Sequence, residues 1–144
     1  NGFLPKQRMA ALKWFKGQIS IGARQAVPSS CDICKQDKGH LEFHSENYSS
    51  PFGDHIGQLG LCYICHMMLH CRFKSSAKWE LYKTNLKGQI RYKAFTGRNW
   101  MAFKSQFLNG ENITAFVEPF EGDGLEVINN IESGFYLEQS DGIN

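Results

Sequence analysis

The chain has 144 residues and a hydrophobic fraction of 42%, which suits one small domain with or without an appendage. It contains no run of about 20 apolar residues, so no membrane-spanning helix is predicted, and no secretory signal is apparent at its start. The formal net charge of +2 conceals an asymmetry: residues 1–104 carry all 16 Lys and Arg with six acids, whereas residues 105–144 carry eight acids and no Lys or Arg. Such a basic body indicates a polyanionic partner, nucleic acid first among them, although solubility alone would also account for it.

The N-terminal part of the chain is interpreted as a basic helix and arm, residues 1–30. Residues 6–16 follow Pro5 and carry apolar side chains at helical spacing with basic residues between them. This pattern predicts a helix that ends at Gly17. Residues 18–30 are expected to form a loop or a short extended arm.

A segment rich in cysteine and histidine, residues 31–75, follows the arm. Residues 31–34 read as a tight turn, and residues 41–44 alternate like a short strand. Residues 45–61 contain several glycines and a proline, so they are expected to be mostly loop. From residue 62 to residue 72 the pattern is helical.

The remainder divides into a basic and aromatic extension, residues 76–117, and an acidic segment, residues 118–144. Residues 76–87 are predicted to be helical. Residues 88–117 mix aromatic residues with Arg and Lys and predict only short strands or a short helix. The acidic, glycine-rich composition of residues 118–144 predicts a partly disordered, flexible tail. On the helix predicted for residues 76–87, the side chains expected to face inward are Trp79, Tyr82 and Leu86.

Four of the five cysteines occur as two Cys-x-x-Cys pairs, Cys31 with Cys34 and Cys62 with Cys65. Four thiolates at this spacing predict a closed, tetrahedral structural zinc site. Buried reduced cysteines and a redox role are the alternatives, although no thioredoxin-like context surrounds either pair. Cys71 is expected to be a buried free thiol. Because paired cysteines in intracellular proteins are more often zinc ligands than disulfides, a cytoplasmic location is expected.

His66 and His70 are four residues apart, so they lie on one face of the predicted helix and can share a metal ion. His44, at the end of the predicted strand, would add a third ligand and leave positions open for water and phosphate. Metal-assisted hydrolysis requires such an open site. Core packing or a charge at the helix end are the alternatives for a pair of histidines at this spacing.

Taken together, these motifs resemble the HNH, or ββα-metal, endonucleases, in particular small bacterial and phage members with a four-cysteine zinc knuckle. The resembling segments are Leu-Glu-Phe-His-Ser at residues 41–45 and Leu-Cys-Tyr-Ile-Cys-His-Met-Met-Leu-His at residues 61–70. Residues 44–51, His-Ser-Glu-Asn-Tyr-Ser-Ser-Pro, are similar to the family's His-His-x-Asp-Tyr-x-x-x-Pro. The resemblance covers about residues 31–73. It implies an α+β fold with a small ββα-metal core stapled by zinc, flanked by an N-terminal helix and by C-terminal helical or irregular segments.

The resemblance also implies a mechanism, hydrolysis of phosphodiester bonds with a single catalytic metal. His44, His66 and His70 align with the family's ligands for a divalent cation, which would be Mg²⁺, Mn²⁺ or Zn²⁺. In that mechanism the cation contacts the scissile phosphate and the leaving 3′ oxygen, and a histidine activates the attacking water.

The chain departs from the family pattern at two positions. Ser45 stands where the general-base histidine is expected, and Gly57 stands where the family has asparagine. His44 would be the base if the register were shifted by one, and the loop residue His55 is the obvious substitute, with Tyr48 a weaker one. Asn47 is one of the nearest amides able to brace a loop or a histidine. The candidate catalytic residues are therefore His44, Asn47, His55, His66 and His70.

The leading expectation is a DNA endonuclease of restriction or phage type that acts on double-stranded DNA as a homodimer or by two sequential nicks. The alternative is a non-catalytic zinc-containing module that binds nucleic acid and derives from such a nuclease. A protein-interaction adaptor that works through its acidic tail is a weaker third hypothesis. The residues expected to contact nucleic acid are Lys13, Lys16, Arg24, Arg72, Lys74, Arg91, Lys93 and Arg98.

Overall fold

The computed structural model describes residues 2–94 and 117–138. These residues form helices and two small antiparallel sheets, which confirms the mixed α+β class. The elements in chain order are α1 (Pro5–Ser20), β1 (Leu41–His44), β2 (Leu59–Cys62), α2 (Tyr63–Cys71), α3 (Ser76–Lys87), β3 (Ile90–Tyr92), β4 (Val117–Pro119), α4 (Leu125–Glu132) and α5 (Phe135–Glu138).

Strands β1 and β2 pair antiparallel, with Leu41 opposite Cys62 and His44 opposite Leu59. β2 runs directly into α2, and Cys62 is the N-cap residue of the helix. A two-stranded sheet followed at once by a helix therefore occupies the middle of the chain. This connection places the end of β1 beside the first turns of α2.

Strand β2 was not predicted, because residues 45–61 read as loop. Gly60 interrupts the apolar run, yet the packing requires glycine there: a Cβ at this position would lie 2.5 Å from Cβ of Pro28. The backbone of Gly60 is also bound to Asp32, whose amide donates to the Gly60 carbonyl at 2.7 Å and whose carboxylate accepts from the Gly60 amide at 2.7 Å. The arm and the first cysteine turn thus pack against β2.

Helix α1 is longer than its sequence pattern predicted, since it continues through Gly17 and ends near Gly22, which has a φ of +78°. Its buried side chains are Ala11 and Phe15. The ring of Phe15 contacts that of Phe43 on β1 with centroids 5.4 Å apart. α1 therefore forms a second, smaller apolar cluster with the strand and with the loop between the two strands.

The described part of the acidic C-terminal segment is ordered, contrary to the expectation of a flexible tail. Ile128 and Ile131 of α4 are buried in the main core, together with Trp79 and Tyr82 of α3. Gly124, with a φ of +66°, allows the start of α4 to approach the first cysteine turn. Composition misled here because a few apolar residues at helical spacing are enough to anchor an acidic helix. Residues 139–144 lie outside the described residues.

Among the helices of residues 2–94 and 117–138, none has the length and apolar character that crossing a membrane requires.

Candidate metal centres

The four paired cysteines converge in one buried cluster. Their sulfur atoms all lie within 4.8 Å of one another, and Sγ of Cys34 is 3.7 Å from Sγ of Cys62. Two thiolates bound tetrahedrally to zinc at about 2.3 Å would lie about 3.8 Å apart. All four are free thiols rather than disulfides. The residues present therefore fit a structural zinc ion. The ligands of such an ion would be Cys31, Cys34, Cys62 and Cys65.

The local backbone turns these thiols inward. The amide of Cys34 donates to Sγ of Cys31, and the amide of Cys65 donates to Sγ of Cys62, both at 3.5 Å. The second pair also lies at the N-terminus of α2, where the helix dipole favours negative charge. Hydrogen bonds from the neighbouring thiols lower the pKa of Cys31, and the same contacts raise the pKa of Cys62 and Cys65. Four thiolates this close together would need a cation to offset their mutual repulsion.

Tyr82 lies beside the cysteine cluster and contacts Cys65. Its side chain is buried in the core, and its hydroxyl has no hydrogen-bonding nitrogen or oxygen atom among the described residues. Burial, the charge of Cys65 and the contact with its sulfur raise the pKa of Tyr82 well above the usual value. The hydroxyl therefore keeps its proton, and a zinc-bound thiolate at Cys65 would accept it.

The antiparallel pair of strands β3 and β4 supports the first cysteine turn. Arg91 donates from Nη1 to the carbonyl of Cys34 at 2.9 Å and pairs through Nε with Glu118 at 3.3 Å. Nε2 of the buried Gln36 donates to the same carboxylate at 3.1 Å. The backbone carbonyl of Gln36 accepts from the amide of Cys31 at 2.8 Å. This pair of strands thus holds the turn in place through side-chain contacts.

Three histidines form a second cluster at the end of β1 and along α2. Nδ1 of His44 lies 3.1 Å from Nε2 of His66, and Nε2 of His70 lies 2.9 Å from the same atom. Imidazole nitrogens sharing a tetrahedral zinc ion would be about 3.4 Å apart, so shifts of a few tenths of an ångström would admit a cation. His44 is buried, His66 is half-buried and His70 is exposed. The cluster therefore opens to solvent on one side.

Two carboxylates fix the opposite nitrogens of these rings. Nε2 of His44 donates to Oε2 of Glu46 at 2.6 Å, and Nδ1 of His66 donates to Oε1 of Glu42. Because an ionised carboxylate only accepts, each ring carries its proton on the side facing the acid. Nδ1 of His44 and Nε2 of His66 then turn lone pairs towards each other. This is the carboxylate–histidine arrangement typical of metal ligands.

Burial and neighbouring charges lower the pKa of three groups in and around the cluster. Burial lowers the pKa of His44. Burial and then the charges of His66 and His44 lower the pKa of His70 to about 4, so its ring is neutral at neutral pH. The hydrogen bond from His66 lowers the pKa of Glu42 to about 2, so the carboxylate is ionised. A cation between Nδ1 of His44 and Nε2 of His66 would offset the repulsion between the lone pairs that these atoms turn towards each other.

The structure gives Ser45 and His55 structural partners. Oγ of Ser45, which is buried, accepts from the amide of Gly57 at 2.7 Å. His55, also buried, donates from Nε2 to the carbonyl of Ser49 at 2.7 Å. The side chain of His55 is not part of the histidine cluster. Both residues stabilise the loop between β1 and β2.

Asn47 is likewise bound within the protein. It is buried, its Nδ2 donates to the carbonyl of Leu137 at 3.1 Å, and its Oδ1 accepts from the amide of Ser49 at 2.9 Å. These bonds connect the loop to α5. They are the contacts that the structure gives to the amide predicted to brace a catalytic group.

The basic residues predicted to contact nucleic acid divide into two groups. Arg24 donates to the carbonyl of Gly57 at 3.1 Å, Arg72 pairs with Glu46 at 2.7 Å, and Arg91 holds the first cysteine turn. These three are committed to contacts within the chain. Arg98 lies outside the described residues. The four that are exposed are Lys13, Lys16, Lys74 and Lys93.

Glu42 and Glu46 are the site residues that the sequence interpretation missed. Both follow the period of two that places side chains on the same face of an extended chain as His44. The alternation of acidic residues and histidine at the end of the strand could therefore have predicted that Glu42 and Glu46 belong to the site. The partner of Glu46, Arg72, lies 26 residues further along the chain and could not be paired with it by pattern.

The chain matches no protein-family model, and comparison with curated proteins and with solved structures found no match.

Proposed function

We propose that the chain is a metal-dependent nuclease that hydrolyses phosphodiester bonds in DNA at the histidine cluster. The observation that carries the proposal is the convergence of three imidazole nitrogens, braced by carboxylates and open on one side, beside a separate cysteine site suited to zinc. An open coordination sphere is the property that distinguishes a catalytic metal site from a structural one.

The order of elements supports the same proposal. The cysteine turn, β1, the long loop, β2 and α2 follow one another as the resemblance to ββα-metal nucleases implies. His44 lies at the end of β1, while His66 and His70 lie on one face of α2. The residues that align with the family's ligands are thus near neighbours in space.

The three imidazole ligands indicate which of the candidate cations is expected at this site. Imidazole suits Zn²⁺ and the neighbouring transition ions, whereas Mg²⁺ prefers oxygen ligands and retains its waters. We therefore expect Zn²⁺, or Mn²⁺ at higher concentration, to support activity better than Mg²⁺. In hydrolytic sites such a cation polarises a phosphoryl oxygen and activates water.

The chain's own residues have distinct roles in this proposal. His44, His66 and His70 hold the cation, and Glu42 and Glu46 orient two of these rings. The exposed Lys13 and Lys16 of α1 attract the phosphate backbone, since this helix carries basic residues and no acid. The buried Ser45 keeps the loop beside the site in place.

A second candidate, the non-catalytic module that binds nucleic acid, is favoured by one observation. Ser45 stands at the position of the family's general base and is bound to Gly57, while Nε2 of His55 is bound to Ser49. His55, the substitute expected for that base, is not part of the histidine cluster. A module without catalysis would still bind DNA through its basic surface.

Plasmid cleavage separates the two candidates. Supercoiled DNA is incubated with the protein and with Zn²⁺, Mn²⁺, Mg²⁺ or EDTA, and nicked and linear products are measured. The nuclease proposal expects cleavage with Zn²⁺ or Mn²⁺ that EDTA abolishes and that His66→Ala lacks. His40→Ala is the matched control, because His40 contacts Glu42 at 3.1 Å but lies outside the cluster. Binding of plasmid without cleavage under any cation would favour the non-catalytic module.

A further inference from the structure

A buried ionic chain connects the end of α2 to the histidine cluster. Nη2 of Arg72 donates to Oε1 of Glu46 at 2.7 Å, and Oε2 of the same carboxylate accepts from Nε2 of His44 at 2.6 Å. The side chains of His44 and Glu46 are 2% and 5% exposed, and that of Arg72 is 12% exposed. Each oxygen of the carboxylate therefore has its own partner in a site nearly closed to water.

The pairing determines the charge of Glu46. The guanidinium of Arg72 stays protonated in proteins and donates to one oxygen of the carboxylate at 2.7 Å, so it offsets the cost of burying the ionised acid. A buried carboxylate without such a partner would be costly. The ionised acid only accepts hydrogen bonds, so the proton of His44 stays on Nε2 and Nδ1 presents a lone pair.

The position of Arg72 is fixed independently of Glu46. Its Nη1 donates to the carbonyl of Leu69 at 3.1 Å, and its guanidinium lies 4.3 Å from the ring centroid of Phe73. Arg72 is also the C-cap residue of α2, two positions after His70. The end of one helix thus supplies both a histidine of the cluster and the cation that anchors Glu46.

We propose that Arg72 and Glu46 are positioning residues that hold His44 in the tautomer with a free Nδ1. The affinity of the histidine cluster for its cation then depends on a guanidinium that does not touch the cation. This inference rests on the metal site of the proposed function. The sequence interpretation assigned Arg72 to nucleic acid, whereas its contacts assign it to the site itself.

Glu46→Gln is the most informative variant. Arg72 can donate only to the oxygen of the new amide, so the amide NH₂ faces Nε2 of His44. That contact forces the proton of His44 onto Nδ1, where it blocks the metal. Arg72→Lys retains the positive charge but cannot donate in two fixed directions. It should therefore also weaken cation binding, but by less than Glu46→Gln does.

Lys83→Met is the matched control. Lys83 pairs with Glu132 at 3.1 Å, and Glu132 lines the same cavity of about 500 Å³ as Glu46 and Arg72. The variant breaks an ion pair of Glu132, which lines this cavity, and leaves the histidines unchanged. Its cation affinity should equal that of the wild-type protein.

The test measures Co²⁺ affinity by visible absorption in protein whose cysteine site is already loaded with zinc. Glu46→Gln should weaken Co²⁺ binding by about 10- to 100-fold, and Arg72→Lys by less, as loss of an outer-shell partner does in other sites. The ¹⁵N shifts of the His44 ring in the Co²⁺-free protein should show the proton on Nε2 in the wild type and on Nδ1 in Glu46→Gln.

Two failures of this test have different meanings. Wild-type protein that takes up no Co²⁺ beyond the cysteine site would remove the metal site and with it the proposed function. If the wild type binds Co²⁺ but Glu46→Gln and Arg72→Lys bind it equally well, or the His44 proton does not move in Glu46→Gln, the positioning role alone is wrong. Arg72→Lys keeps the test valid should Glu46→Gln fold poorly.

Discussion

Nδ1 of His44 lies 3.1 Å from Nε2 of His66, and each ring donates from its other nitrogen to a carboxylate. Two imidazoles in this state present lone pairs to each other and gain nothing from their proximity. A shared cation converts the repulsion into coordination. Together with the nearby His70, this relationship is the strongest indication of chemistry in the described part of the chain.

The cysteine cluster should be required for folding, and the isolated thiol should not. Cys62→Ser removes one of four ligands and leaves a buried hydroxyl at the start of α2. We expect loss of bound zinc and of a cooperative thermal transition, since structural zinc contributes folding energy directly. Cys71→Ser, outside the cluster and only half-buried, should keep its zinc and its transition. Zinc analysis and circular dichroism on both variants check this, and a Cys62→Ser protein that melts like wild type would exclude a structural metal.

Gly57, the position where the HNH pattern has asparagine, should be intolerant of a side chain. Its φ is +65°, and a Cβ there would lie 2.4 Å from Cε2 of Phe15. Gly57→Ala should therefore destabilise the protein by about 1–3 kcal/mol through strain and overpacking.

Gly17→Ala is the matched control for that substitution. Gly17 lies inside α1 with open space around it, so alanine there should stabilise the protein by about 0.5–1 kcal/mol. Urea unfolding of both variants gives the two free energies of unfolding. If both substitutions changed the free energy of unfolding equally and in the same direction, the tight contact between α1 and the loop would be contradicted.

Asn47→Ala should affect stability rather than metal binding. The substitution leaves the amide of Ser49 and the carbonyl of Leu137 without the partners they have in the structure, at a cost of about 1–3 kcal/mol. Faster hydrogen exchange should appear in α5, while the histidine cluster keeps its affinity for Co²⁺. Asn129→Ala, on the exposed face of α4, should leave stability nearly unchanged. A large loss of cleavage activity with normal stability would instead restore Asn47 to a catalytic role.

The basic face of α1 should contribute to DNA binding through charge alone. Lys13→Gln with Lys16→Gln should weaken binding and reduce the salt dependence of the association constant by about 0.9 for each phosphate that the helix no longer neutralises. Lys83→Gln is the control, because Lys83 is paired with Glu80 and Glu132 within the chain. Fluorescence anisotropy at several salt concentrations measures the slopes. Identical slopes for the wild type and the double variant would exclude α1 from the interface.

Local patterns predicted the parts of the fold in which neighbouring residues determine the structure. The alternation of residues 41–44 predicted β1, and the spacing of His66 and His70 placed both on α2. β2 was missed because its glycine is required by Pro28, a residue distant in sequence. The order of the C-terminal segment was missed for a similar reason, since Ile128 and Ile131 are stabilised by a core that composition does not reveal.

The candidate site shows the same division. Cysteine and histidine spacing was enough to name the seven residues of the two clusters. The prediction that Arg24, Arg72 and Arg91 contact nucleic acid did not anticipate their contacts with Gly57, Glu46, Glu118 and Cys34, because these partners lie 26 or more residues away in sequence. Charge counts treat every arginine as available, whereas the fold commits these three to internal contacts.

The number of zinc ions held by each chain is the most direct test of the histidine site. Native mass spectrometry with added Zn²⁺ should find two ions per wild-type chain, one at the four cysteines and one at the three histidines. His66→Ala should hold one, with its thermal transition retained. A wild-type chain that binds a single zinc ion, or a His66→Ala chain that still binds two, would contradict a metal site at His44, His66 and His70.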